Sequence, residues 1–258
     1  MKNLLLLFLF CFLWVLLLPL YPSVGMEEKQ PPEEEYVLSV MLGMCEDVLP
    51  DEALKAIAVT LRTYIYYNGK ILPEGELITA VVSAEQGENL YNAVKRAVFS
   101  TEGEYITYSG RIINACFHLC SNKNTADGDA PYLLSVPTPD ESAYPGFYSE
   151  KNISALEISA FGKGEIISVS YGSDGRVKSV EFEKGYASVS EFTEYFSLAS
   201  NDFTLNSLPD GGYTAFCRGV GNGCGLSLYG ACLLAEEGKN YRQIISHYFS
   251  GTCVTMKI

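Results

Sequence analysis

The sequence predicts an α+β domain, in which antiparallel strands with helices at both ends form a cleft, preceded by an N-terminal membrane anchor. Three observations predict it. Apolar residues recur at helical spacing near the start, the middle alternates with a period of two, and a glycine-rich run enters an amphipathic helix near the C-terminus. The first helix carries the stripe Tyr36, Val37, Val40, Met41 and Met44, and Pro50 breaks it. Asp51 is placed to cap a second helix with a buried face of Leu54, Ile57, Ala58 and Leu61. Strands are expected at 105–108, 112–117, 166–171 and 177–182, the last two joined as a hairpin by Gly172-Ser-Asp-Gly175. No second linker or internal repeat follows Tyr36, so residues 36–258 read as one structural unit.

Ahead of that unit lies a targeting element, residues 1–25. Lys2 precedes an apolar run from Leu4 to Leu18, extended past Pro19 by Leu20 and Tyr21. Its length falls between a signal-peptide core and a spanning helix of about 20 residues. Ser23-Val-Gly25 has the small residues of a cleavage site, so both a signal peptide and an uncleaved signal anchor fit. Either one exports the rest of the chain. Residues 26–35 are rich in Glu, Pro and Gln and read as an extended, solvated tether.

Composition narrows the partners. The chain has 258 residues, 48% of them hydrophobic, which is ample for an ordinary core, and a net charge of −13. Nucleic acid is therefore not expected as a partner, because phosphate binding needs a basic surface.

The most informative segment runs from Cys217 to Ala231, with glycine at positions 219, 221, 223 and 225. Alternate glycines strip one face of side chains, so backbone can approach a ligand or another strand closely. One wall of a binding cleft and a tight loop packed on a helix both fit. Leu228, Cys232, Leu233 and Ala235 then mark a helix, and Gly238 suits its end.

Gly219 to Gly251, ending in His-Tyr-Phe-Ser-Gly, resembles the C-terminal signature of the stage II sporulation protein D family. Two further blocks share the resemblance in family order. They are residues 36–64, with Glu52-Ala-Leu-Lys-Ala56 and Leu61-Arg-Thr-Tyr64, and Tyr108 to His118 followed by Pro131 to Val136. The resemblance implies a membrane-anchored, single-pass peptidoglycan lytic transglycosylase, or an amidase enhancer, facing away from the cytoplasm. Its implied partners are peptidoglycan glycan strands, a cell-wall amidase and, through the N-terminal helix, the membrane.

It also implies a catalytic glutamate on the first helix, and counting back from Glu52 and Pro50 puts Met44 there. Methionine has no proton to give, and general acid assistance is worth about 10²–10⁴ in rate. Glu46 is the nearest substitute, but two residues on is about 200° around a helix. The family's Gly-His-Gly-Val-Gly-Met-Ser-Gln-Tyr-Gly reads here with Asn222 for the histidine, Cys224 for the valine and Leu228 for the glutamine. Ser227, Tyr229, Lys55, Arg62 and Tyr64 keep the pattern and, with Asn222, are the implied substrate contacts. For Arg62, a carboxylate pairing that holds two helices fits as well, and Tyr229 could stack on a sugar or simply pack.

Seven cysteines follow the anchor, an odd number, so they cannot all pair within one chain. No cofactor is required, although some family members hold a structural zinc near the segment containing His118 and Cys120. Buried free thiols beside a hydrogen-bonded histidine are the alternative there. Three functions remain open: a degenerate, non-catalytic family member that binds glycan or activates an amidase, an active transglycosylase using Glu46, and a scaffold of a cell-wall complex.

Overall fold

A computed structural model describes residues 33–45, 47–68 and 84–256. The expected anchor, residues 26–32 of the tether, and Glu46 lie outside the described residues. Among those described, no helix is long and apolar enough to cross a membrane. Glu33–Ile258 forms one compact unit of mixed α+β class, built around two hydrophobic clusters.

The first cluster surrounds α2 (Asp51–Asn68). Helices α1 (Glu33–Met44) and α3 (Ala84–Ser100) pack on it from the N-terminal half, α6 (Leu228–Glu236) and α7 (Tyr241–Tyr248) from the C-terminal half. Ala53, Leu54, Ala56, Ile57, Ala58, Val59, Leu61 and Ile65 are all buried, so α2 is covered on every side rather than on one stripe. The alanines let neighbouring helices come close. Arg62 sits fully buried in this setting, donating to Glu34 at 2.8 and 2.5 Å and to the Val98 and Glu104 carbonyls. One guanidinium thus ties α1, α3 and β1 to α2. The acidic end of the expected tether is corrected here: Glu33, Glu34 and Glu35 are already helical, and Glu34 is buried against Arg62.

Strand β1 (Glu104–Tyr108) pairs antiparallel with β2 (Arg111–Ile112) and with the C-terminal β11 (Cys253–Met256), Ile106 opposite Val254. The C-terminal strand thus closes back onto the strand that follows α3. The strand expected at 112–117 is divided between β2 and β3 (Phe117–His118). Its ladder is interrupted because Asn114 N–H goes to Tyr132 Oη and Cys116 N–H to the Asn114 carbonyl.

The second cluster lies within residues 148–217. A three-stranded antiparallel sheet orders β4 (Tyr148–Ile153), β9 (Tyr213–Arg218) and β8 (Phe203–Ser207). A second orders β5 (Ile166–Tyr171), β6 (Val177–Phe182) and β7 (Gly185–Ser188), with the expected hairpin joining β5 to β6. Short helices α4 (Ala155–Ala160) and α5 (Val189–Tyr195) accompany them. Phe182, Phe192, Phe196 and Phe203 fill this core, Phe192 stacked on Phe203 at 5.5 Å. The sequence reading missed α3, β4, β8 and β9, and it missed that the chain builds a second core.

Candidate functional site

β3 pairs in parallel with β10 (Leu226–Ser227), Phe117 beside Leu226 and His118 beside Ser227. The glycine segment leads into β10. All four of its alternate glycines have positive φ, between 73° and 103°. The face they leave bare is occupied by this chain itself. A Cβ at Gly225 would lie 2.0 Å from the Cys116 carbonyl oxygen, and one at Gly223 would lie 2.8 Å from the Arg176 guanidinium carbon. The cleft-wall reading of these glycines is thereby corrected: the close approach they permit is to the chain's own backbone and to Arg176.

Next to this segment lies a buried polar node. His118 Nδ1 is 3.1 Å from the Cys224 carbonyl oxygen, and Nε2 is 2.5 Å from Ser121 Oγ. A carbonyl only accepts, so Nδ1 carries the hydrogen and Nε2 accepts from Ser121. Burial lowers the His118 imidazole from its ordinary 6.5 to about 4; the Cys224 carbonyl opposes that, and Arg176 adds to it. Glu141 Oε2 accepts from Ser121 N–H at 2.8 Å and from Ser227 Oγ at 2.6 Å. Burial raises the Glu141 carboxyl, and these hydrogen bonds pull against it. Ser227 also caps α6 by accepting from Gly230 N–H. Arg176 donates to the Asn124 carbonyl at 2.8 Å and to Asn201 Oδ1 at 3.1 Å. The Ser121–His118 pair has the hydrogen bond of a nucleophile and base, yet both side chains are buried, so it holds structure.

On the other side of β3, Met44, Ile57, Thr60, Leu61, Phe117 and Leu228 enclose a crevice with about 150 Å³ of empty space, too narrow for a water molecule. Among the described residues, no titratable side chain lines it. Thr60 Oγ1 is its one polar side-chain atom, and it lacks a hydrogen-bond partner.

The predicted site residues are distributed unevenly around this crevice. Met44 lines it, and Tyr64 flanks it, its ring edge-on to Phe117 at 5.5 Å. Arg62 is in the core, away from any surface. Lys55 is held within the first turn of α2 by Glu52 at 2.7 Å and Asp51 at 2.9 Å, hydrogen bonds that raise its ammonium above its ordinary value. Ser227 belongs to the polar node, and Tyr229 packs edge-on to Tyr144 at 5.2 Å. Asn222 is exposed and lines a different groove of about 350 Å³, beside Asn201 and Glu194. Glu141, Ser121 and Arg176 were not anticipated. Glu141 lies in a Pro/Asp/Ser-rich stretch and Arg176 follows a Gly turn, contexts that read as solvated loops.

Comparison with known proteins agrees with the blocks quoted above. Residues 27–108 match a family model described as "Stage II sporulation protein". The proteins named "Stage II sporulation protein D" of Bacillus subtilis and Bacillus amyloliquefaciens are 28% and 26% identical, each over 92% of this chain and 78% of the relative. The chain is thus similar, over most of its length, to proteins of the stage II sporulation protein D family. An uncharacterized protein of Brachyspira hyodysenteriae is also similar, 28% identical over 84% of this chain and 65% of its own length.

Met44 and Leu228, the residues that the resemblance sets at the positions of the acid and the glutamine, both line this one crevice. The position of the histidine does not join them. The family's structural zinc is not supported by the residues present. Both ring nitrogens of His118 are engaged, by Cys224 and Ser121. Among the described residues, no three His, Cys, Asp or Glu side chains converge as metal ligands.

Proposed function

We propose that this chain is an exported, membrane-tethered cell-wall protein that binds peptidoglycan glycan strands without cleaving them, and so presents the strand to a partner amidase. The observation that carries the non-cleaving part of this reading is the Met44–Leu228 crevice, which has no room for a sugar ring, while strand binding rests on the family resemblance. Protonating a glycosidic oxygen needs a positioned acid, and the crevice offers thioether, aliphatic and aromatic groups around one threonine hydroxyl. Lys2 and the apolar run to Tyr21 support the tether and the outward orientation.

The test uses full-length protein purified in detergent and incubated with glycan strands stripped of stem peptides. Co-sedimentation with the strands is expected, with 1,6-anhydro ends no more abundant than in a buffer control. Anhydro products that disappear in Glu46→Gln would establish an active transglycosylase with a displaced acid. Failure to sediment would leave a scaffold with an unused crevice. A mature N-terminus near Met26 in the same preparation would remove the tether.

A further inference from the structure

Two cysteines stand where the chain leaves the helical cluster and where it returns. Cys116 directly precedes β3, and Cys224 lies two residues before β10. Everything between them includes β4 to β9 and the whole second core. Their sulfurs are 3.0 Å apart, the Cys116 thiol donating to Cys224 Sγ, and both cysteines are half-buried with no covalent link between them. Closing to a bond of about 2.05 Å requires movement of about 1 Å, within the reach of small side-chain rotations.

The surrounding backbone is already set for it. Leu226 N–H donates to the Cys116 carbonyl at 3.1 Å, and Gly225 packs against Cys116 so tightly that a Cβ would not fit. The segments are therefore held side by side without any covalent link. We propose that Cys116 and Cys224 form an intramolecular disulfide that clamps the neck of the β-rich region and fixes the glycine segment beside the crevice.

The oxidant is a disulfide, small-molecule or protein-borne. One cysteine thiolate attacks it and releases one thiol, and the second thiolate then displaces the other. Two protein thiols become one disulfide, and one oxidant disulfide becomes two thiols, with the two cysteine protons carried by the departing groups. The inference does not depend on glycan binding. Export as proposed above would place the pair in an oxidising compartment. Pairing these two also leaves five of the seven cysteines after the anchor, consistent with their odd number.

Full-length protein in detergent is equilibrated with oxidised and reduced glutathione mixtures. Free thiols are then alkylated, and unreduced peptides are read by mass spectrometry. A linked peptide pair containing Cys116 and Cys224, two hydrogens lighter than the separate thiols, is expected. Exposed Cys253 serves as the control that alkylates when reduced. Reduction of the linked protein should lower Tm by about 5 °C or more, because the closed loop is long. Cys116→Ser should abolish both the linked peptide and this reductant-dependent shift. Cys224→Val, which keeps an apolar side chain there, provides the same reading should the serine variant not fold. Alkylation of both thiols in the most oxidising mixture, or a link from either to another cysteine, would overturn the proposal. Neither result bears on whether the protein cleaves or binds glycan.

Discussion

The crevice and the polar node lie on opposite sides of the same strand pair and carry opposite chemistry. Phe117 and Leu228 face the crevice, whereas their chain neighbours His118 and Ser227 enter the node. In β3, successive side chains point to opposite faces, and at the end of β10 the chain turns into α6 at Leu228, so in both places one residue step separates an apolar wall from a dense hydrogen-bond network. In the node, Glu141, Ser121, His118 and Arg176 hold the glycine segment and the second core in place. In the crevice, Met44 and Leu228 meet Ile57, Leu61 and Phe117 around the Thr60 hydroxyl. The difference teaches that a single strand pair can carry a hydrogen-bonded node on one face and an apolar wall on the other.

If this contrast is real, disturbing the node side should cost far more than disturbing the crevice. The largest effect is expected for Gly225→Ala, whose methyl would meet the Cys116 carbonyl at a positive φ. A loss of about 3–5 kcal/mol in denaturant unfolding is expected. Gly110→Ala, also at positive φ but with open space around it, should lose only about 1 kcal/mol. Equal losses would remove the argument that close packing of the glycine segment matters.

A middle-sized effect comes from acidification. The folded His118 titrates near 4 and an unfolded histidine near 6.5, so the unfolded chain binds more protons in between. Stability from this residue is therefore present at pH 7 and is lost as pH falls through that window, by about 2 kcal/mol between pH 7 and 5. Glu141 acts in the opposite sense, since its raised carboxyl favours the protonated folded state as pH falls. The informative quantity is thus the pH slope of wild type minus that of His118→Gln. Identical slopes would place His118 in a solvated setting.

The smallest effect belongs to the crevice itself. Met44→Leu keeps an apolar side chain of similar volume at a partly buried position, and a cost below about 1 kcal/mol by thermal unfolding is expected. A loss matching that of Gly225→Ala would show that the crevice, too, is structurally indispensable.

Much of the local structure was legible before the fold. The stripe from Tyr36 to Met44 and the face of Leu54, Ile57, Ala58 and Leu61 marked α1 and α2, because a 3.6-residue period leaves a visible apolar pattern. The β5–β6 hairpin was readable from alternating residues flanking Gly172-Ser-Asp-Gly175. The division of 112–117 was not, since Tyr132 Oη supplies the interrupting hydrogen bond from 18 residues away. Nor was the burial of Glu34, whose partner Arg62 is 28 residues distant. Met44 and Leu228 could each be recognised as departures from the family pattern, but only folding brought them to one crevice. Asn222, six residues before Leu228 in the chain, was sent to another groove.

By itself the sequence determined the α+β class, the resemblance to the stage II sporulation protein D family, the main helices and hairpin, and an apolar methionine at residue 44. Those features are written in short-range periodicity and in residue identity, which survive in one dimension. Tertiary structure alone decided that the alternate glycines serve the chain's own backbone, that Arg62 is a buried clamp, and that Glu141 and Arg176 belong to the node. Each depends on partners distant in sequence meeting at hydrogen-bond or van der Waals range, and no local pattern encodes that meeting.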